Sequence, residues 1–363
     1  MIRILQVVTH MNRGGLETML MNYYRIIDRE NVQFDFLVHR KYEADYDEEI
    51  ESLGGKIYRL SVLNPFSFSY RQELNSFFKE HKEYQIVHVH QDCLSSIILK
   101  SAKKNNVKVR IAHSHSISQD KNIKYLIKMF YRQFIPKYAT DLMACGEAAG
   151  KWMFSGSQFC VLNNSINTEL YSFNEEKRKQ IRAEFNIAEN ELVIGHVGRF
   201  SPPKNHDFLV KIFKEIIQKE NAKLLLVGDG NLRGMIENKI ENLGLKENVI
   251  FTGVRSDVED LMQAMDVFVF PSLYEGLGIV AIEAQAAGLP CVISNNVPSE
   301  CIITEGLVIK CSLNNSEDVW ANYILKSINK QRRDTRNEII NAGFDIKESA
   351  KNLEKFYYKK LVE

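Results

Sequence analysis

Residues 267–294 read VFVFPSLYEGLGIVAIEAQAAGLPCVIS. Val267–Phe270 is an unbroken apolar run stopped by Pro271, the pattern of a strand buried on both faces. A loop with two glycines, Gly276 and Gly278, leads into Ile279–Ala287, a short helix closed by Gly288 and Pro290 in C-capping order. Pro290–Ser294 then reads as the next strand. Strand, helix, strand is the repeating unit of a parallel sheet with helices on its faces. Two carboxylates sit inside this apolar text, Glu275 in the loop and Glu283 about a turn into the helix. An unpaired charge in an apolar setting costs several kcal/mol, so Glu283 needs a hydroxyl or a cation. The amides of Leu277 to Val280, at the helix N-terminus, suit an anion such as phosphate. The plainer alternative is an exposed Glu275 and a salt-bridged Glu283.

The same alternation extends in both directions. Upstream, Leu192–Phe200, Ala222–Gly230 and Val249–Val254 read as strands separated by helices. A first series, Ile2–Val8, Val32–His39, Lys56–Leu60, Tyr84–His90, Lys108–His115 and Asp141–Gly146, precedes them. The fold class is therefore α/β with two Rossmann-like doubly wound domains, residues 1–170 and 171–344. The amphipathic helix 345–363 has no strand after it and is expected to pack back on the first domain. A chain of 363 residues suits two such cores. Ligands of doubly wound sheets lie beyond the carboxyl ends of the strands, in a cleft that two such domains would face across.

Composition narrows the partners. The net charge is +1, so no global field points to nucleic acid, and no aromatic stacking motif suggests RNA. The six cysteines include no CxxC pair and read as reduced. Apolar windows are too short for a membrane-spanning helix or a secretory signal, which leads to a cytoplasmic expectation. The sharpest local bias is Lys100–Lys137, with ten Lys and Arg against the single acid Asp120. Within it, residues 121–137 form a basic amphipathic helix suited to an anionic lipid surface, or to packing on the core with its lysines in water.

A second constellation supplies cations. The strand ending at Val197–Gly198 is followed by Arg199 and Lys204, before a helix that begins near His206. Arg199 offers a fork of donors and Lys204 a point charge. In the first domain, Gly14–Gly15 opens a helix without completing GxGxxG, which argues against a dinucleotide enzyme. His88, His90, His113 and His115 share strand faces in pairs and read as satisfied strand-end histidines rather than metal ligands. Asp45 and Asp47 read as a solvated acidic run. No metal is predicted.

Residues 9–22 (THMNRGGLETMLMN), 197–210 (VGRFSPPKNHDFLV), 224–233 (LLLVGDGNLR) and 249–292, with the Glu275–Glu283 pair in its full setting, resemble the retaining glycosyltransferases of family four, of GT-B fold. The bacterial exopolysaccharide and capsule transferases are the most similar kind. The resemblance implies that Glu275 contacts hydroxyls of the donor sugar, Glu283 the ribose hydroxyls, and Arg199 with Lys204 the diphosphate. The amides of Leu277, Gly278 and Ile279 would cap that diphosphate, and Gly228, Val254 and Arg255 would line the base pocket. Gly14 and Gly15 would let backbone approach the donor, and His115 would reach its sugar. The implied reaction moves a hexose from a nucleotide diphosphate sugar, UDP favoured over GDP or ADP, to a lipid-linked saccharide at the inner face of the plasma membrane. It needs no cofactor. Rival readings are a sugar-nucleotide epimerase or phosphorylase on the same plan, and a noncatalytic nucleotide-sugar or lipid-binding scaffold.

Overall fold

The computed structural model describes residues 1–116, 124–330 and 332–363. The chain divides into two compact units, one made of Met1–Ile166 with Gly343–Glu363, the other of Asn167–Ala342.

The first unit is built on seven strands: β1 (Ile2–Val8), β2 (Val32–Val38), β3 (Ile57–Arg59), β4 (Ile86–Val89), β5 (Val109–Ser114), β6 (Asp141–Ala144) and β7 (Cys160–Val161). All pair in parallel, in the order β3-β2-β1-β4-β5-β6-β7. Alternate residues of one strand enter different cores. Leu5 and Val7 pack with Phe77 and Phe78 on one face, while Ile4 and Val8 pack with Tyr24 and Phe34 on the other. Burial on both faces explains why these strands read as continuous apolar runs. The terminal helix Ile346–Val362 buries Ile346, Ala350, Leu353 and Tyr357 in the second of those cores, beside the helix Gly15–Ile26. Asp345 caps it, accepting from the amides of Lys347 (3.0 Å) and Glu348 (3.2 Å).

The second unit has six parallel strands, β8 (Leu192–Val197), β9 (Ala222–Val227), β10 (Val249–Gly253), β11 (Val267–Phe270), β12 (Cys291–Ser294) and β13 (Val308–Cys311), in the order β10-β9-β8-β11-β12-β13. Two strands escape the sequence pattern. β7 is two exposed residues, and β13 has two partly buried residues followed by an exposed lysine and a buried cysteine, so neither presents an apolar run. Both sheets grow outward from an internal strand pair, β1/β4 in one unit and β8/β11 in the other. At those pairs consecutive crossovers leave in opposite directions, and the crevice beyond the strand ends opens there.

Candidate active site

In the second unit, β8 and β11 lie side by side in register Val267↔Ile194 and Phe268↔Gly195, so the loops leaving them emerge as neighbours. The β8 loop carries Arg199, passes through the single turn Pro202–Lys204, and enters the helix His206–Ile217. The β11 loop carries Glu275 and enters the helix Ile279–Ala286. Backbone stitches join the two: Leu273 N–H donates to the Pro203 carbonyl (2.8 Å), and the Asn205 side chain donates to the Pro271 carbonyl (3.1 Å). Asn205 adopts φ 56°, a left-handed turn that asparagine tolerates, which lets the loop double back.

Across this seam Lys204 Nζ donates to Glu275 Oε1 at 2.8 Å, with side-chain exposures of only 18% and 12%. The ammonium also lies 4.7 Å from the centre of the Phe270 ring, whose face attracts cations. Lys204 thus joins Glu275 directly, whereas Arg199 is exposed at the start of the loop and has no such contact among the described residues. Gly278 caps the helix at φ 84°, where a side chain is strained. The amides of Ile279 and Val280, in the first turn, have no acceptor within the helix. Leu277 is buried behind them.

Glu283 is 8% exposed, and burial pushes its carboxyl up to about 7. A hydrogen bond from Tyr171 and the charge of Lys204 oppose that shift, and the charge of Glu259 adds to it. The hydroxyl partner that Glu283 requires is therefore present, on the helix Thr168–Tyr171. Sequence reasoning missed Tyr171, Asn205 and Phe270; only Asn205, ahead of a helix, left a local sign.

The remaining residues expected at the base pocket divide. Gly228, at φ +130°, lies under the β8 loop, where a Cβ would stand 2.4 Å from the Gly198 carbonyl oxygen. Val254 is 57% exposed. Arg255 points its guanidinium at acids, Asp257 at 2.8 and 2.7 Å and Glu184 at 3.0 Å.

In the first unit, Gly14 is the N-cap of the helix Gly15–Ile26, and Gly15 has open space where a Cβ would stand. Glu17 folds back over Gly14; burial pushes its carboxyl up to about 7, and it is a residue the sequence reading passed over. His115 Nε2 lies 2.8 Å from His90 Nδ1. His88, His90 and His113 are buried, and four ring nitrogens of this group (His88 Nε2, His113 Nδ1 and Nε2, His115 Nδ1) lack a hydrogen-bond partner. The expectation of satisfied histidines is corrected accordingly: the strand ends bring imidazoles together faster than they supply acceptors. Asp47 is also corrected. It is buried, holds Arg59 at 2.6 Å and accepts from the Ala44 amide at 2.7 Å, while Asp45 stays exposed. Of the basic helix, residues 121–123 lie outside the described residues; Lys124–Arg132 is helical with no buried residue.

Comparison with known proteins gives the family of the chain. Residues 177–345 match the family "Glycosyl transferases group 1". A protein of Bacillus subtilis (strain 168) assigned as a glycosyltransferase, EpsF, is 37% identical over 96% of this chain and 94% of its own length. The UDP-Gal:alpha-D-GlcNAc-diphosphoundecaprenol alpha-1,3-galactosyltransferase of Escherichia coli is 26% identical over 76% of each chain. Among solved structures, Anabaena HepE in complex with UDP and glucose superposes with a TM-score of 0.82 at 18% identity, covering 99% of this chain and 100% of that one.

Proposed function

The chain belongs to the group 1 glycosyl transferases, and we propose that it is a retaining hexosyltransferase acting from a UDP-sugar onto a hydroxyl of a lipid-linked glycan in exopolysaccharide or capsule assembly. The observation that carries this reading is the Lys204–Glu275 pair on the loops that leave β8 and β11, the second of which enters the helix bearing the buried Glu283. Cation, amides and hydroxyl-binding acids within one crevice match the three parts of a nucleotide diphosphate sugar: diphosphate, ribose and hexose. The choice of UDP and of a lipid diphosphate acceptor takes support from the substrates of the E. coli relative and the ligands of the Anabaena neighbour.

In the proposed reaction the bond from the sugar's anomeric carbon to the diphosphate oxygen breaks, and the acceptor oxygen bonds to that carbon on the same face. The acceptor's proton passes to the departing diphosphate oxygen, so no protein nucleophile takes part. Negative charge grows on the diphosphate as its bond lengthens. Lys204, Arg199 and the amides of Leu277, Gly278 and Ile279 stabilise it there, already oriented before the reaction. Glu275 leaves part of its contact with Lys204 to hold sugar hydroxyls, and Glu283 accepts from the ribose. Gly228, Val254 and Arg255 border the base; Gly14, Gly15 and His115 keep their donor-side roles as part of the same proposal.

The test is a thermal-shift screen over UDP-, GDP- and ADP-hexoses, followed by a transfer assay to a lipid-diphosphate saccharide with the product anomer read by NMR. A UDP-hexose is expected to raise the melting temperature most, because it binds the native state alone. Turnover without an acceptor, or only with free phosphate, would favour an epimerase or phosphorylase. Binding with neither transfer nor slow donor hydrolysis would leave a scaffold.

A further inference from the structure

We propose that His88, His90 and His113 of the first unit form a binding site for a borderline divalent cation, zinc in the first instance, that fastens β4 and β5 to the terminal helix. Each of the three offers a ring nitrogen, and those atoms lie within 4.8 Å of one another. All three imidazoles are buried, at 1%, 5% and 2% exposure. They line a small cavity of about 10 Å³ together with Gln6, Tyr23 and Tyr357, room for one small guest.

The hydrogen bonding around the cavity is that of an outer shell waiting for its centre. His88 Nδ1 is 2.8 Å from the Tyr357 hydroxyl, which leaves Nε2 turned inward without a partner. His90 Nε2 is 3.0 Å from Gln6 Oε1, and the Gln6 amide donates onward to the same Tyr357 hydroxyl at 3.3 Å. His113 has a partner on neither nitrogen. Metal-binding histidines commonly give their second nitrogen to an oxygen of this kind, which fixes ring orientation and tautomer. The second nitrogen of His90 faces His115, so an ion displaces one of the two His90 contacts. Burial lowers the basicity of the whole cluster. In a neutral imidazole one ring nitrogen bears a proton and the other a lone pair, so an ion binds each ring through the nitrogen left unprotonated.

Neutral imidazole is the donor that suits zinc, and at about 2.0–2.1 Å from the ion three such ligands draw together from their present spread. A water could satisfy single nitrogens. One ion can serve three ring nitrogens that lie within 4.8 Å of one another as a single common partner. The site lies in the first unit beside His115, which the transfer reading also uses, and metal uptake is measured without turnover, so the two proposals fail separately.

Protein prepared without a histidine tag and stripped by chelator is titrated with cobalt(II) chloride, then with zinc. The expected result is one ion per chain, with visible d–d absorption of imidazole-bound cobalt that zinc abolishes, and three imidazole ligands by zinc-edge X-ray absorption. Uptake should be lost in His113→Gln and His88→Gln, and Tyr357→Phe should weaken it roughly tenfold or more. No uptake by the wild-type chain overturns the proposal, as does uptake unchanged in both histidine variants. Should those variants not fold, the wild-type absorption edge decides: fewer than three imidazoles, or any sulfur ligand, overturns it.

Discussion

The two units use one strand order for opposite chemistry. Each sheet grows outward from a central strand pair, and at each such pair polar side chains gather beyond the strand ends. In the second unit they are a lysine and a glutamate at 2.8 Å, partly exposed to solvent, the glutamate on the loop that enters the helix Ile279–Ala286. In the first they are imidazoles whose pKa burial lowers to about 3 for His88 and His115, so they are neutral at physiological pH. The topology supplies a crevice in both, and the residues at its lip decide what it can hold. Neutral imidazoles cannot compensate a developing diphosphate charge, whereas a fixed ammonium can.

The largest expected effect tests that division. Lys204→Ala and Glu275→Ala should each lower turnover at least a hundredfold in protein that keeps its native circular dichroism, the order of loss when one oriented charge partner leaves a transition state (about 3 kcal/mol). Lys204→Ala should act mainly on kcat, since the charge it stabilises grows as the bond breaks. Variants that keep activity within tenfold of wild type would erase the distinction between the two crevices.

An effect on stability, of opposite sign, comes from Glu283. Its carboxyl, raised from 4.5 to about 7 by burial, binds its proton more tightly folded than unfolded. The stability this confers is fully present below about pH 4.5 and is lost as pH rises through 7, a change of about 3 kcal/mol. Glu283→Gln should therefore flatten the melting temperature against pH over that window and raise it at pH 8, while weakening donor binding. Stability held back for a ligand marks a binding residue; a melting curve unchanged by the substitution would remove Glu283 from the site.

Much of this was legible in the sequence. The strands around Glu275 announced themselves because sheets buried on both faces admit only apolar runs, and the Glu275–Glu283 spacing placed one acid in a loop and one on a helix. The stitches were not legible. Tyr171 meets Glu283 and Pro203 meets Leu273 across long stretches of chain, and no local pattern records a contact made by tertiary packing. The histidine pairs were visible but misread. Period-two spacing shows that two rings share a face, yet whether their nitrogens find acceptors depends on Gln6 and Tyr357, more than 80 and 260 positions away from His90 and His88.

The smallest effect separates the units by surface rather than by crevice. The helix Lys124–Arg132 of the first unit packs Met129 and Tyr131 partly against the core and has no fully buried residue, while Leu126 and Phe130 are 76% and 55% exposed. A neighbouring loop adds Phe66 at 69% and the helix that follows it begins with Phe68 at 73%; the loop is tied to the helix Lys124–Arg132 through Tyr131, whose hydroxyl donates to the Pro65 carbonyl at 3.4 Å. Exposed aromatic and aliphatic side chains among lysines fit the interface of an anionic bilayer, and no helix among the described residues is long and apolar enough to cross one. Co-sedimentation with vesicles containing phosphatidylglycerol should fall on replacing Lys124 and Lys128 by glutamine, by about 1 kcal/mol per charge, and more steeply for Leu126→Ser with Phe130→Ser. High salt should reduce the first contribution and spare the second, because screening reaches charges and not apolar contacts. Equal sedimentation of wild type and both double variants would leave this face to water and return the contrast between the units to their crevices alone.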